Sequence, residues 1–203
     1  MQDREQIIGK LGTLVDSKRL KHSLGVSRCA VELAGRYGAD RKKAELAGLV
    51  HDCAKCLTCG ESIRLCEKHG FEPDSISKAN RALLHAPLGA FLAEDVFGIQ
   101  DREILDAIAC HTTGKKGMTV FEKVICLADY IEESRQYPGV EDIRAYAFHD
   151  IDRALLTALE LSIRNVMDRG KLLHPMTVEA RNDLLLAVED SGKAEARTSL
   201  KYI

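Results

Sequence analysis

"RLKHSLGVSRCAVELAGRYG", residues 19–38, decides the fold. Leu20, Leu24, Val31 and Ala34 recur near the 3.6-residue period that lines one face of an α-helix, and Gly38 is a natural stop because glycine accepts the left-handed conformation in which helices end. Outward from this stretch the same period returns. Asp40 caps a second helix that carries Leu46, Leu49, Val50 and Cys53. Thr58 with Glu61, and Thr119 with Glu122, have capping-box spacing. Pro87 suits a first helical turn, so "APLGAFLAEDVFG" (86–98) forms a helix that begins just after His85 and stops at Gly98. Further helices are predicted over Asp101–His111, Val120 to about Ser134, Val140–Phe148, Ile151–Arg169 and Val178–Glu189. No stretch alternates with period two. The reading is all-α, a bundle of about eight to ten helices packed at varied angles.

Composition bounds the function. A chain of 203 residues suits one domain that buries about 70% of the surface exposed by its unfolded form, so folding needs no metal or disulfide staple. The expected unit is one domain over 1–203, with its core over about 19–177 and a polar tail, "SGKAEARTSLKYI" (191–203), that frays. A net charge of -2 gives no global attraction to nucleic acid or anionic membrane, so any affinity for phosphate is local. No apolar run has the length of a membrane span, and "MQDREQIIGK" lacks a secretory pattern, which points to the cytoplasm. With 5% aromatics and no tryptophan there is little to stack single-stranded nucleic acid.

The chemistry lies at the helix ends. His22, the doublet His51-Asp52, His85, His111 and Asp129 fall on five separate predicted helices or their edges, and a bundle can close such groups around an ion. Imidazole and carboxylate ligands suit iron, manganese, zinc or nickel and leave positions for water, whose pKa a bound metal lowers towards ~7. Arg19 precedes His22 by three residues and Lys55 follows Asp52 by three, so each shares a helical face with a proposed ligand. Cations beside a metal suit a substrate with several phosphates.

"VHDCAKCLTC" (50–59) also contains three cysteines. Cys53 follows Leu46, Leu49 and Val50 on what reads as the buried side of a helix, and Cys56 falls near the same side, whereas clusters are wrapped by cysteines in irregular loops. Cys53, Cys56 and Cys59 are therefore read as structural. A cysteine-ligated redox module is the rival, and its signature would be a charge-transfer spectrum.

With these residues in place, the sequence resembles the HD superfamily of metal-dependent phosphohydrolases, whose signature is a His, a later His-Asp doublet and a distal Asp. More narrowly it is similar to the YqeK family of symmetrically cleaving diadenosine tetraphosphate hydrolases. The resemblance rests on "RLKHSLGV" (19–26), "HDCAK" (51–55), "LLHAPLGA" (83–90), "ILDAIACHTTGKKGMTVFEKVICLADYIEESR" (104–135) and "HPMT" (174–177). It implies that His22, His51, Asp52 and Asp129 hold iron, one ion or two. His85, His111 and Thr112 would contact the polyphosphate, with Asp52, His85 and His111 in the chemistry. Arg19, Lys55 and Arg135 would surround it with positive charge. The loop of Lys171, Leu172, Leu173, His174, Pro175 and Met176 would close over the nucleoside. The substrate implied is a dinucleoside tetraphosphate, the products ADP or GDP, and the assembly a homodimer.

Two departures bear on this. Relatives often read "IEPxR" where this chain has "IEESR" (131–135), so Glu133 replaces a loop-setting proline, and the expectation is a longer helix and a redirected Arg135. Met176 stands where an acidic residue is common. His69 and His149 read as ordinary helix-end histidines, and "GKKG" (114–117) as a solvated turn. The nearest functional alternative is another HD phosphohydrolase acting on nucleotides or cyclic dinucleotides. One of a different class is a sensor that binds nucleotide without cleaving it.

Overall fold

A computed structural model describes the backbone of residues 3–199 and the side chains through Ser191. Among the described residues the chain is helical with no strand. The elements in chain order are α1 (Arg4–Leu14), α2 (Ser17–Tyr37), α3 (Arg41–Val50), α4 (Cys59–Lys68), α5 (Ser75–Ala79), a 3₁₀ turn (Arg81–Leu83), α6 (His85–Phe97), α7 (Arg102–Cys110), α8 (Val120–Ile131), α9 (Val140–Ala147), α10 (Ile151–Asp168) and α11 (Pro175–Ser199). The all-α reading holds. Among the described residues the count exceeds the expected range because α1 and the short α5 are added; α11 also begins earlier than expected, at Pro175. The expectation of a frayed tail over 191–203 falls on side chains from 192 and on whole residues from 200 that lie outside the described ones.

Local chemistry sets these boundaries. Asp16, Asp40, Asp74, Asp101 and Asp150 each accept a backbone N–H of the helix they precede, and Thr58 and Thr119 form the capping boxes with Glu61 and Glu122. Gly38 (φ 72°) and Gly98 (φ 66°) end α2 and α6 in the left-handed conformation.

Helix α2 is the spine. It packs on α3 and α8; α7 lies against α6 and α8, and α10 fills the space between α8, α9 and α11. Leu33, Leu49, Ile108, Ile125, Leu127, Leu155 and Leu159 are fully buried at these contacts, each worth roughly 1.5–3 kcal/mol relative to exposure. One close approach fixes the site. A side-chain carbon at Gly48 of α3 would lie 2.7 Å from Ser27 Cα and 2.9 Å from Ser27 N on α2, so only glycine lets the two backbones meet here.

Gly48→Ala should therefore destabilise the fold by roughly 1–3 kcal/mol, despite alanine's better helix propensity, because the obstructing atoms are backbone and cannot turn aside. Urea unfolding of the two proteins measures the difference, and equal midpoints would contradict the packing argument.

Candidate metal centre

Five elements deliver the proposed ligands. His22 sits within α2, His51 and Asp52 follow the last residue of α3, His85 opens α6, His111 follows α7, and Asp129 lies in α8. The expected helix through Cys53 is corrected: α3 ends at Val50, and residues 51–56 form successive turns closed by Cys53 N–H to Val50 O (3.0 Å) and Lys55 N–H to Asp52 O (2.9 Å). At the break the His51 ring turns back to the Gly48 carbonyl, with Nδ1 2.8 Å away.

That contact is one of a set. His111 Nδ1 lies 2.7 Å from Ile108 O, and His85 Nδ1 bonds to Ala82 O. His22 Nδ1 lies 3.0 Å from the Glu132 carboxylate. A carbonyl or carboxylate oxygen only accepts, so each Nδ1 carries the proton and each Nε2 presents a lone pair. All four lone pairs converge with two carboxylates. His22 Nε2 is 2.9 Å from Asp129 Oδ1 and 3.8 Å from Asp52 Oδ2, while His51 Nε2 is 3.5 Å from Asp52 Oδ2 and 3.8 Å from Asp129 Oδ1. His85 and His111 bring Nε2 to 3.1 and 3.5 Å from Asp52 Oδ1.

These are acceptors facing acceptors in a buried place. His22 Nε2, His51 Nε2 and Asp52 Oδ1 have no hydrogen-bond partner; the 2.9 Å approach of His22 to Asp129 is close without being a hydrogen bond. Leaving such groups unpaired is costly, and a cation removes the cost. Two sets, His22 with His51 and Asp129, and His51 with Asp52 and His111, each place their ligand atoms within 4.8 Å of one another. The donor chemistry and the orphaned atoms both fit a divalent ion.

Electrostatics keeps the ligands in binding form. Burial pushes His51 down to about 4, against the pull of Asp52 and Asp129, and also lowers His85. Burial opposes ionisation of Asp52, yet its carboxyl stays well below its usual range, with the Arg19 guanidinium 2.6 Å away. Asp129 behaves alike: burial opposes ionisation, and the Arg135 guanidinium favours it. The same holds at Glu132, where burial is overcome by bonds from Ser134 and His22. Three cations line the rim. Arg19 donates to Asp52 (2.6 Å), Arg135 grips both the backbone and side-chain oxygens of Asp129, and Lys55 Nζ is 2.8 Å from His85 Nε2 and 3.6 Å from Asp52. Burial lowers the Lys55 pKa against the pull of Asp52. Thr112 Oγ1 lies 2.9 Å from His85 Nε2.

Not every expected residue joins this group. His174 of the Lys171–Met176 loop turns to α5, with Nε2 3.2 Å from Asp74, while Lys171, Leu172 and Met176 are exposed. Cys53 is buried with Sγ 3.5 Å from Gly89 O, Cys56 and Cys59 are exposed, and no cysteine belongs to either ligand set among the described residues. The expected extension of α8 is also corrected. The helix ends at Ile131, and Glu132 is extended (ψ 155°) without any proline. Its carboxylate takes the N–H and hydroxyl of Ser134, and Arg144 binds the carbonyls of Ile131, Glu132 and Arg135 (3.0–3.1 Å), so side chains do the work of the missing ring. Arg135 consequently still points to the centre. Glu132 was the residue the sequence reading missed; its signal was an acid three positions after Asp129, at the end of an apolar helix.

A model of the HD domain family matches residues 19–134. The chain is 40% identical over 168 residues, 83% of this chain and 89% of the other, to the symmetrical bis(5'-nucleosyl)-tetraphosphatase of Halalkalibacterium halodurans. To the protein of the same name from Bacillus subtilis it is 38% identical over 183 residues, 90% and 98% of the two lengths. A crystal structure from Clostridium acetobutylicum, described as a predicted HD superfamily hydrolase involved in NAD metabolism, matches with a TM-score of 0.88 and 44% identity over 92% of this chain and 99% of that one.

Metal analysis after purification under reducing conditions separates the two ligand chemistries. Asp129→Ala should lose the ion, whereas a Cys56→Ser, Cys59→Ser double variant should retain it at wild-type stoichiometry. The reverse pattern would transfer the metal to the thiols.

Proposed function

Because the chain belongs to the HD-domain family, we propose that it is a metal-dependent phosphohydrolase that cleaves dinucleoside tetraphosphate at the central anhydride, giving two nucleoside diphosphates. One observation carries this reading: four imidazole lone pairs and two carboxylates converge beneath three cations, in a chain about as long as its tetraphosphatase relatives. His22, His51, Asp52 and Asp129 would hold the ion, which we take to be iron. A divalent cation there supplies Lewis acidity to a phosphoryl oxygen and acidity to water.

The chain's own groups do the rest. Arg19, Lys55 and Arg135 are partly exposed (28%, 32% and 34% for the side chains), with their charged ends directed inward, so a polyphosphate entering from solvent meets them first. Water adds to one of the two central phosphorus atoms, the bridging P–O bond breaks, and the departing diphosphate takes a proton. His85 is placed to relay it: its Nε2 lone pair would take a proton from Lys55 Nζ, 2.8 Å away, and pass it to the departing oxygen, with the Thr112 hydroxyl 2.9 Å from the same nitrogen. His111 lies 3.2 Å away and, with Asp52, fixes the cluster in which the charge develops. The exposed Leu172, in the loop after α10, and Met176, in the first turn of α11, offer an apolar face to a nucleobase. We further propose a single HD domain with its core over about 19–177, a homodimer, and a cytoplasmic location; no described helix is long and apolar enough to cross a membrane.

Product analysis on diadenosine tetraphosphate tests the reading. The iron-loaded protein should yield ADP alone, His51→Ala or Asp52→Ala should abolish turnover together with metal retention, and Lys55→Ala should lower kcat by about 10²- to 10³-fold with the ion still bound. Release of inorganic phosphate, or opening of a cyclic dinucleotide in place of this reaction, would assign another HD activity. Tight binding without turnover would make the protein a sensor.

A further inference from the structure

Three of the four converging imidazoles orient themselves. His51, His85 and His111 each bond through Nδ1 to the carbonyl of the residue three positions earlier. For His51 and His111 this is possible because each caps the C-terminus of its helix, where the regular backbone ladder ends and carbonyls have room for a side-chain donor. His22 has no such recourse. It lies in the sixth position of a 21-residue helix, where the carbonyls of the preceding turn are taken by the ladder.

The acceptor comes from outside. Glu132, brought by the end of α8, is 1% exposed and places Oε1 3.0 Å from His22 Nδ1. Its other contacts hold the carboxylate still: Ser134 N–H donates to Oε2 (2.8 Å) and the Ser134 hydroxyl to Oε1. No arginine or lysine pairs with this carboxylate among the described residues, since Arg144 binds the adjacent carbonyls and the carboxylate of Glu141. A buried carboxylate whose longest-range partner is an imidazole is an expensive way to fasten a loop. The space for it is reserved on α2, where a side-chain carbon at Gly25, three residues after His22, would overlap Oε2.

We propose that Glu132 is a positioning residue that fixes His22 in the Nδ1–H tautomer, so that the Nε2 lone pair faces Asp129 and Asp52. The inference rests on the reading of this cluster as a metal centre. Through that one hydrogen bond Glu132 sets the direction and basicity of a ligand that the helix alone leaves free to rotate. Gly25 is required for the same reason, to leave the carboxylate room behind the ring.

Two measurements test it. Nitrogen-15 spectra of the histidines in metal-free wild-type protein should show His22 protonated at Nδ1, and Glu132→Ala should abolish that preference. Titration with Mn²⁺ should give a dissociation constant raised about 10- to 100-fold in Glu132→Ala. Gly25→Ala, which displaces the carboxylate without removing it, should shift both readouts the same way and serves if Glu132→Ala does not fold. Arg144→Ala is the structural control: it loosens the same loop and should lower Tm while leaving the tautomer unchanged. A wild-type His22 carrying its proton on Nε2 would overturn the proposal, as would a folded Glu132→Ala variant binding Mn²⁺ as tightly as wild type. Loss of the tautomer in Arg144→Ala would also overturn it, by reducing Glu132 to a loop fastener. Wild-type protein that binds no Mn²⁺ and cleaves no dinucleotide would remove the metal-centre reading instead, while the metal-free spectra still decide the role of Glu132.

Discussion

The site depends on where four protons sit. If Nδ1 of His22, His51, His85 and His111 is the protonated nitrogen, every Nε2 is a donor of electrons aimed at one place, and the carboxylates of Asp52 and Asp129 complete a ligand shell. With the tautomers reversed, the same rings would hydrogen-bond to those carboxylates, and the cluster would be a closed ion-pair network with no need of a metal. The choice is made by acceptors outside the cluster. Backbone carbonyls at helix ends cannot donate, so they admit one tautomer only.

This requirement explains why the fold breaks its helices where it does. His51 and His111 stand just past the last residues of α3 and α7, and those terminations supply the carbonyls that orient them. The Gly48 contact with Ser27 then has two effects, since the residue that lets α3 approach α2 also provides the acceptor for His51. Packing and coordination are set by the same backbone atoms. A bundle built this way needs few loop residues for its ligands, and the precision of the centre follows from helix positions rather than from a flexible segment.

Much of this was legible in the sequence, for identifiable reasons. Aspartate and threonine caps, Gly38 and Gly98 act locally, so they marked the helix boundaries well. The clustering of His22, His51, Asp52 and Asp129 was legible because an HD doublet, a preceding His and a distal Asp form an ordered pattern. The end of α3 was not, because Cys53 continues the apolar period and nothing in the local sequence announces that a histidine ring will turn back onto its own helix. Glu132 was hidden for the opposite reason. Its partner is 110 residues earlier, and attention to the missing proline in "IEESR" drew the reading to Glu133, which is exposed and pairs with Arg28, when the acid before it carries the structure. The role of Arg144 was equally invisible, since a guanidinium serving three carbonyls leaves no mark in a hydrophobic pattern.

Charge resolves an apparent conflict in the composition. A chain with net charge -2 has no general attraction for a polyanion, yet its proposed substrate carries several phosphates. Within the centre, Asp52, Asp129 and Glu132 are matched by Arg19, Lys55 and Arg135, and the imidazoles proposed as ligands would bind in their neutral form, so the protein groups would sum to about zero. A divalent ion in the ligand shell therefore leaves a local excess of positive charge in a place with little water to screen it. The attraction is local to this centre, where the proposed phosphate chain would be held. Arg19 and Arg135 add a further discrimination. Each guanidinium is already engaged by a ligand carboxylate, so a single phosphate competes poorly for them, whereas a chain of phosphates that reaches the ion can recruit both at once.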